Sequence, residues 1–263
     1  MNGTPQDRIF FLHLPKTAGT SVARSLISGL DLKKRSSKRI GRGGWVLIHD
    51  HEHDKRRKLL RKAKRARFVT GHFTARTYRQ LADPKRDFVF TFLRDPASRL
   101  ESLFRFSRAW KGGWEYPIEP ASLKFSEFLQ YDHPLHRARV DNLMTRMLGG
   151  GLDEEPRSED EWNELVERAC RMLDRMSFVG LTETFDRDFA TLCETVGVPA
   201  LETPRQNRTP ARHREQAVAD DDTRAGGAAR EMLLRCTRHD RRVYEHARRI
   251  RDGRYRRAQT SSR

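Results

Sequence analysis

The chain is poor in cysteine, in acidic charge and in long apolar runs, and each shortage removes a class of protein. Three cysteines in 263 residues, Cys170, Cys193 and Cys236, are too few and too widely spaced for a disulfide scaffold. They read as free thiols, Cys170 and Cys193 on amphipathic helices, and suit a reducing cytoplasm. No run of about 18 apolar residues occurs, so no transmembrane helix is expected. The opening MNGTPQDR holds no apolar signal-peptide core, and a cytoplasmic location is expected. Internal repeats and low-complexity blocks are also missing. The simplest organisation is one α/β domain over residues 1–263, with a basic tail from about 252 expected to be disordered.

Acidic residues are outnumbered 36 to 53 by lysine and arginine, leaving a net charge of +17. Much of the excess lies in residues 33–67 and 238–263. Such patches suit an anionic partner: a bisphosphate cofactor, a uronic-acid or sulfated glycan, or an acidic membrane surface. A solvated helix face is the commoner fate of a charge run. Nucleic acid is not an expected partner, because no reading helix, zinc module or aromatic RNP strip accompanies the charge.

What the chain does have is two strand–turn–helix segments with phosphate-binding chemistry. Residues 8–21 read RIFFLHLPKTAGTS, an apolar run with the composition of a buried parallel strand, broken by Pro15 and Gly19. Val22, Leu26, Ile27 and Leu30 then follow helical spacing. Backbone N–H groups and the positive end of the helix dipole meet there, and Lys16, Thr17, Thr20 and Ser21 add a charge and hydroxyls. The lysine comes first, unlike the terminal GK[ST] of a nucleotide-hydrolase P-loop. That order argues against a magnesium-dependent small-molecule kinase, the main enzymatic alternative. Residues 87–106, DFVFTFLRDPASRLESLFRF, repeat the design. Arg94 stands at a strand end and Ser102 about two helical turns beyond, a guanidinium and a hydroxyl suited to a second phosphate.

The pair KTAGTS and RDPASRLES resembles the sulfotransferases that use 3′-phosphoadenosine 5′-phosphosulfate (PAPS), specifically the carbohydrate branch with heparan sulfate 2-O- and chondroitin 4-O-sulfotransferases. Further similar segments are Thr70-Gly71-His72, NLMTRMLG (142–149), FVGLTETF (178–185) and DRRVYEHA (240–247). The resemblance implies a three-layer α/β/α fold with a central, mostly parallel sheet. It implies that Lys16, Thr17, Ala18, Gly19, Thr20 and Ser21 hold the 5′-phosphosulfate, and Arg94 and Ser102 the 3′-phosphate. A loop that closes over the nucleotide in this family points to Arg205, Asn207 and Arg208. Relatives of the Golgi carry an amino-terminal anchor, from which this chain departs. A soluble bacterial-type member is the expectation, in keeping with 42 arginines among 53 basic residues, the other 11 being lysine.

Sulfuryl transfer to a hydroxyl needs a base and a cation for the leaving oxygen. Lys16 suits the second task. His72, in a Gly-His setting similar to that of the 2-O-sulfotransferases, is implied as the base. No metal is expected. The run HDHEHD over residues 49–54 reads as a solvated loop rather than a metal site. Trp110 and Trp114 stand in a Gly/Pro-interrupted loop suited to stacking on sugar rings. Arg146, in a helix of apolar neighbours, is a candidate anchor for an acceptor's anionic group, with pairing to a buried acid as the alternative. His133 and His136 are assigned to a loop near the presumed acceptor side. Asp95 is expected to organise its turn and to have Arg99 within pairing range.

Overall fold

The computed structural model describes residues 8–32, 44–50, 56–109, 123–199 and 227–261. Five strands form one sheet: β1 (Arg8–Leu12), β2 (Trp45–Leu47), β3 (Phe68–Gly71), β4 (Asp87–Leu93) and β5 (Phe178–Leu181). Their order is β2-β3-β1-β4-β5 and every pairing is parallel. Parallel sheets are covered on both faces, which explains why β1 and β4 are buried at every position and read as unbroken apolar runs.

Side chains alternate across each strand, so β1 feeds two cores. Phe10 and Leu12 join Val69 and Val89 on one face. That face is covered by α3 (Ala75–Arg79), α7 (Leu143–Gly149), α8 (Glu159–Arg175) and α10 (Gly227–Ser261), through Tyr78, Met144, Val166, Leu173 and Val243. Ile9 and Phe11 join Phe88 and Phe90 on the other face, under Val22 and Leu26 of α1 (Gly19–Gly29) and Phe189 and Leu192 of α9 (Phe185–Val196). A satellite core links α4 (Pro96–Ala109), α5 (Phe125–Gln130), α6 (Pro134–Val140) and α10. The expected three-layer α/β/α architecture is the observed one. The basic helix α2 (Arg56–Ala63) precedes β3 and lays Leu59, Leu60 and Ala63 against the first core.

The connection from β1 leads outward to edge strand β2, whereas the one from β3 crosses over β1 to β4. The reversal opens a crevice at the carboxyl ends of β1 and β4, where doubly wound sheets bind ligands. Both phosphate-type segments identified in the sequence end there.

α10 packs along α7, α8 and β5. Asp240, fully buried, accepts from the Met144 and Thr145 amides (3.2 and 2.7 Å) and the Thr145 hydroxyl (2.8 Å), capping α7. Asn142 Oδ1 accepts in return from the His239 and Asp240 amides (2.8 and 3.0 Å). Farther along, Arg251 pairs with buried Asp188 (3.0 Å), Arg254 donates to the Met176 carbonyl (2.6 Å), and the Tyr255 hydroxyl donates to Asp188 (2.9 Å). The helix continues to Ser261, past residue 252 where a disordered tail was expected, with Arg254 and Tyr255 tied to the body. His136 lies on α6, not in a loop, and is buried with Nε2 bonded to the Phe128 carbonyl (2.7 Å).

Candidate active site

The turn after β1 has an unusual backbone. Lys16 and Ala18 both take left-handed backbone conformations, φ 71° and 61°, at a cost of order 1–3 kcal/mol each. Two such residues bracketing Thr17 curl the chain, the kind of backbone that forms anion-binding nests. Gly19 and Thr20 open α1, and first-turn amides have no intrahelical acceptor. Ser21 and Val22 already donate to the Ala18 carbonyl (3.1 and 3.3 Å). Thr17 is buried and donates its hydroxyl to the Leu14 carbonyl (2.8 Å), so it shapes the turn and offers its amide rather than its hydroxyl.

Three cations gather around this turn. Arg94, just past β4, reaches the Lys16 carbonyl at 3.5 Å. Lys16 Nζ lies 3.9 Å above the Phe106 ring of α4, beside Arg105. Burial, then the Arg94 and Arg105 charges, pulls the lysine ammonium down to about 8. Burial also lowers Arg94, with Glu183, Glu101 and Asp95 opposing. Arg94 and Arg105 have carboxylates close by, whereas Lys16 meets mainly burial and like charge. Ser102 is half-buried on the same helix. Asp95 accepts from the Ser98 amide (2.8 Å) and caps α4, the expected turn-organising role. Arg99 does not pair with it; its buried guanidinium donates to the Arg139 carbonyl (3.1 Å).

His72 follows β3 and is fixed on three sides. Its Nδ1 lies 2.8 Å from the His13 carbonyl. A carbonyl accepts and never donates, so Nδ1 carries the hydrogen and Nε2 is the ring's basic nitrogen. The His72 carbonyl accepts from the Asp50 amide (3.2 Å), and its amide faces His49 Nδ1 (3.4 Å). Preceding Gly71 has φ 127°, and a Cβ there would lie 2.0 Å from the Ile48 carbonyl oxygen. Glycine is thus required for β2 and β3 to approach and for His72 to take its place.

Sequence reasoning passed over His13 and His49. The His13 ring stands 4.4 Å from that of His72, and its atoms occupy the space a Cβ at Gly19 would need. Burial, helped by His72, His49 and Lys16, holds His13 well below the usual histidine range, so it is neutral at pH 7. His49 and Asp50 leave the proposed solvated loop. Asp50 accepts from Thr74 and Thr77 (2.9, 2.8 and 2.7 Å) at the start of α3, and His49 borders His72. Among the described residues no group of three or more His, Cys, Asp or Glu could hold a metal ion.

Arg146 is corrected. It is buried, donates to the Asp141 carbonyl (2.8 Å), the Asp141 carboxylate (2.6 Å) and the Glu154 carbonyl, and stacks over Trp162. With its donors engaged inside the fold it is an internal anchor, the alternative left open by its apolar neighbours. Trp110, Trp114, Arg205, Asn207 and Arg208 lie outside the described residues.

The site therefore combines a left-handed turn at a helix start, a cluster of cations and a tautomerically fixed histidine at the ends of β1, β4 and β3. No described helix is long and apolar enough to cross a membrane. Comparison with curated proteins gives no match. Over residues 1–247 the chain matches the model of the sulfotransferase family.

Proposed function

The chain belongs to the sulfotransferase family, and from that premise we propose that it moves a sulfuryl group from PAPS to a carbohydrate hydroxyl. The observation that carries this reading is the convergence of Lys16, Arg94 and Arg105 on the left-handed turn that opens α1, one strand away from a histidine whose Nε2 is basic. The residues fit the donor. Two phosphate groups need two positive places, and the turn after β1 and the start of α4 supply them. When bound, the donor supplies the activated sulfuryl group.

The rest is done by the chain's own side chains. The amides of Gly19 and Thr20 and the Lys16 ammonium bind the 5′ end and stabilise charge as it develops there. Arg94, with Ser102, binds the 3′-phosphate. His72 Nε2 takes the acceptor's proton, and the His13 carbonyl, bonded to Nδ1–H, steadies the imidazolium that results. β3 and β1 are neighbours, about 4.8 Å apart, so base and cation project from adjacent strand ends. The +17 charge and the likeness to carbohydrate sulfotransferases favour an anionic glycan as acceptor.

Calorimetric titration with adenosine 3′,5′-bisphosphate and with adenosine 5′-monophosphate tests the donor. Tighter binding of the bisphosphate, lost in Arg94→Ala, is expected; equal affinities would remove the proposal. His72→Ala should abolish turnover and leave bisphosphate affinity intact, and an active variant would reassign the base.

A further inference from the structure

We infer that Phe106 is a positioning residue for Lys16, holding its ammonium over the ring face at the junction of the two phosphate-binding elements. The inference rests on the proposed role of Lys16 toward the donor and adds a residue that neither motif contains.

Lys16 Nζ stands 3.9 Å above the Phe106 ring, well inside the range of a cation–π contact. Phe106 is four residues beyond Ser102 on α4, so both lie on one helix face. The ammonium therefore rests on the surface of α4 that also presents the Ser102 hydroxyl. It is tethered there from the other side by the left-handed turn at Lys16 itself. A flexible four-carbon side chain has many rotamers, and a ring under its tip selects one of them.

The surroundings make that selection necessary. Burial, Arg94 and Arg105 all work against a charged Lys16. Among the described residues no carboxylate pairs with Lys16, whereas Arg94 has three nearby and Arg105 pairs with Glu101 (3.5 Å). The electron-rich face of Phe106 is a neutral partner that favours the protonated form. A carboxylate in that place would neutralise the site for an anionic ligand; an aromatic ring leaves the full charge available. The ring thus keeps the lysine charged, placed and uncompensated.

The test compares Phe106→Leu, which keeps an apolar side chain and loses the ring, with Phe106→Tyr, which keeps the ring. Carbamylation of Lys16 by cyanate, followed against pH by peptide mass spectrometry, reads the lysine titration without donor or acceptor. The Leu variant should titrate about half a unit lower than the parent, and Tyr should match the parent. Turnover of Phe106→Leu should fall at pH 6.5, where the ammonium is charged but no longer held in place, and by about a further threefold relative to the parent at pH 8.5. An unchanged midpoint in Leu, equal shifts in Leu and Tyr, or parent-like turnover of Leu at pH 6.5 would each overturn the inference. Phe106→Met replaces Leu if circular dichroism shows that Leu does not fold. If PAPS is not the donor, the parent shows no turnover while the cyanate comparison still reports on Phe106.

Discussion

Replacing Gly71 with alanine tests the link between the sheet and the chemistry. The added Cβ would meet the Ile48 carbonyl oxygen at 2.0 Å and the Ile48 nitrogen at 3.0 Å. Contacts to a Cβ under 3.0 Å do not persist, so a backbone must move by about 1 Å. Ile48 is 2% exposed and its amide already bonds the Thr70 carbonyl (2.9 Å), so β2 cannot yield without breaking the ladder. A positive φ at a non-glycine adds about 1–2 kcal/mol, and overpacking adds about 1–3 kcal/mol. The expected loss is about 2–5 kcal/mol, a large part of a domain's net stability. His72 is the next residue, and a 1 Å displacement of a catalytic group costs about a hundredfold in rate. Urea unfolding followed by circular dichroism gives the first number, and turnover per folded enzyme gives the second. Gly253→Ala is the control: nothing lies within 4 Å of its Cβ, and alanine inside a helix should gain about 0.5–1 kcal/mol. A Gly71→Ala protein within 1 kcal/mol of the parent and fully active would refute the reasoning.

Other perturbations have equally definite outcomes. Lys16 loses its proton near pH 8 in the fold and near 10.5 when unfolded, so its charge burdens the native state fully below 8. That burden fades between 8 and 10.5, where the unfolded chain binds the extra proton and stability rises with pH. Lys16→Met should therefore gain about 1 kcal/mol at pH 7 and lose turnover by at least about a hundredfold; a variant destabilised at pH 7 would contradict this. The same titration predicts that turnover of the parent declines above pH 8, measurable as the basic limb of its rate profile. Arg251→Ala leaves the Asp188 carboxylate buried with the Leu181 amide and the Thr184 and Tyr255 hydroxyls as donors. A loss of about 3 kcal/mol in urea is expected, the low end for breaking a buried pair, since Arg187 remains 3.7 Å from Asp188; a loss under 1 kcal/mol would show that the pairing contributes little.

The elements that were legible in the sequence were those with one dominant signal. β1 and β4 stand as unbroken apolar runs because both faces are covered. Arg94 was visible because it follows such a strand directly, and Lys16 because it stands in the short turn after one. His13 and His49 were not. His13 sits one residue past β1, hidden among apolar neighbours, and His49 opens a run that reads as solvated. Both matter through the order β2-β3-β1, which brings their strand ends beside His72 and which no local pattern encodes. Arg146 illustrates the opposite problem. A guanidinium among apolar residues points equally to a ligand and to an internal acid, and only the fold, with Asp141 and Glu154 in reach, decides between them. The helical tail escaped for the same reason, since Asp188 lies 63 residues before Arg251.

The cap that Asp240 places on α7 has a consequence for biosynthesis. Met144 and Asp240 are 96 positions apart, and a ribosome adds that length in roughly 5–20 s. Throughout that interval the nascent α7 has emerged without its cap, while the apolar sides of α7 and α8 await the helix that covers them. A message truncated before codon 240 would leave this half of the domain exposed to chaperones and proteases.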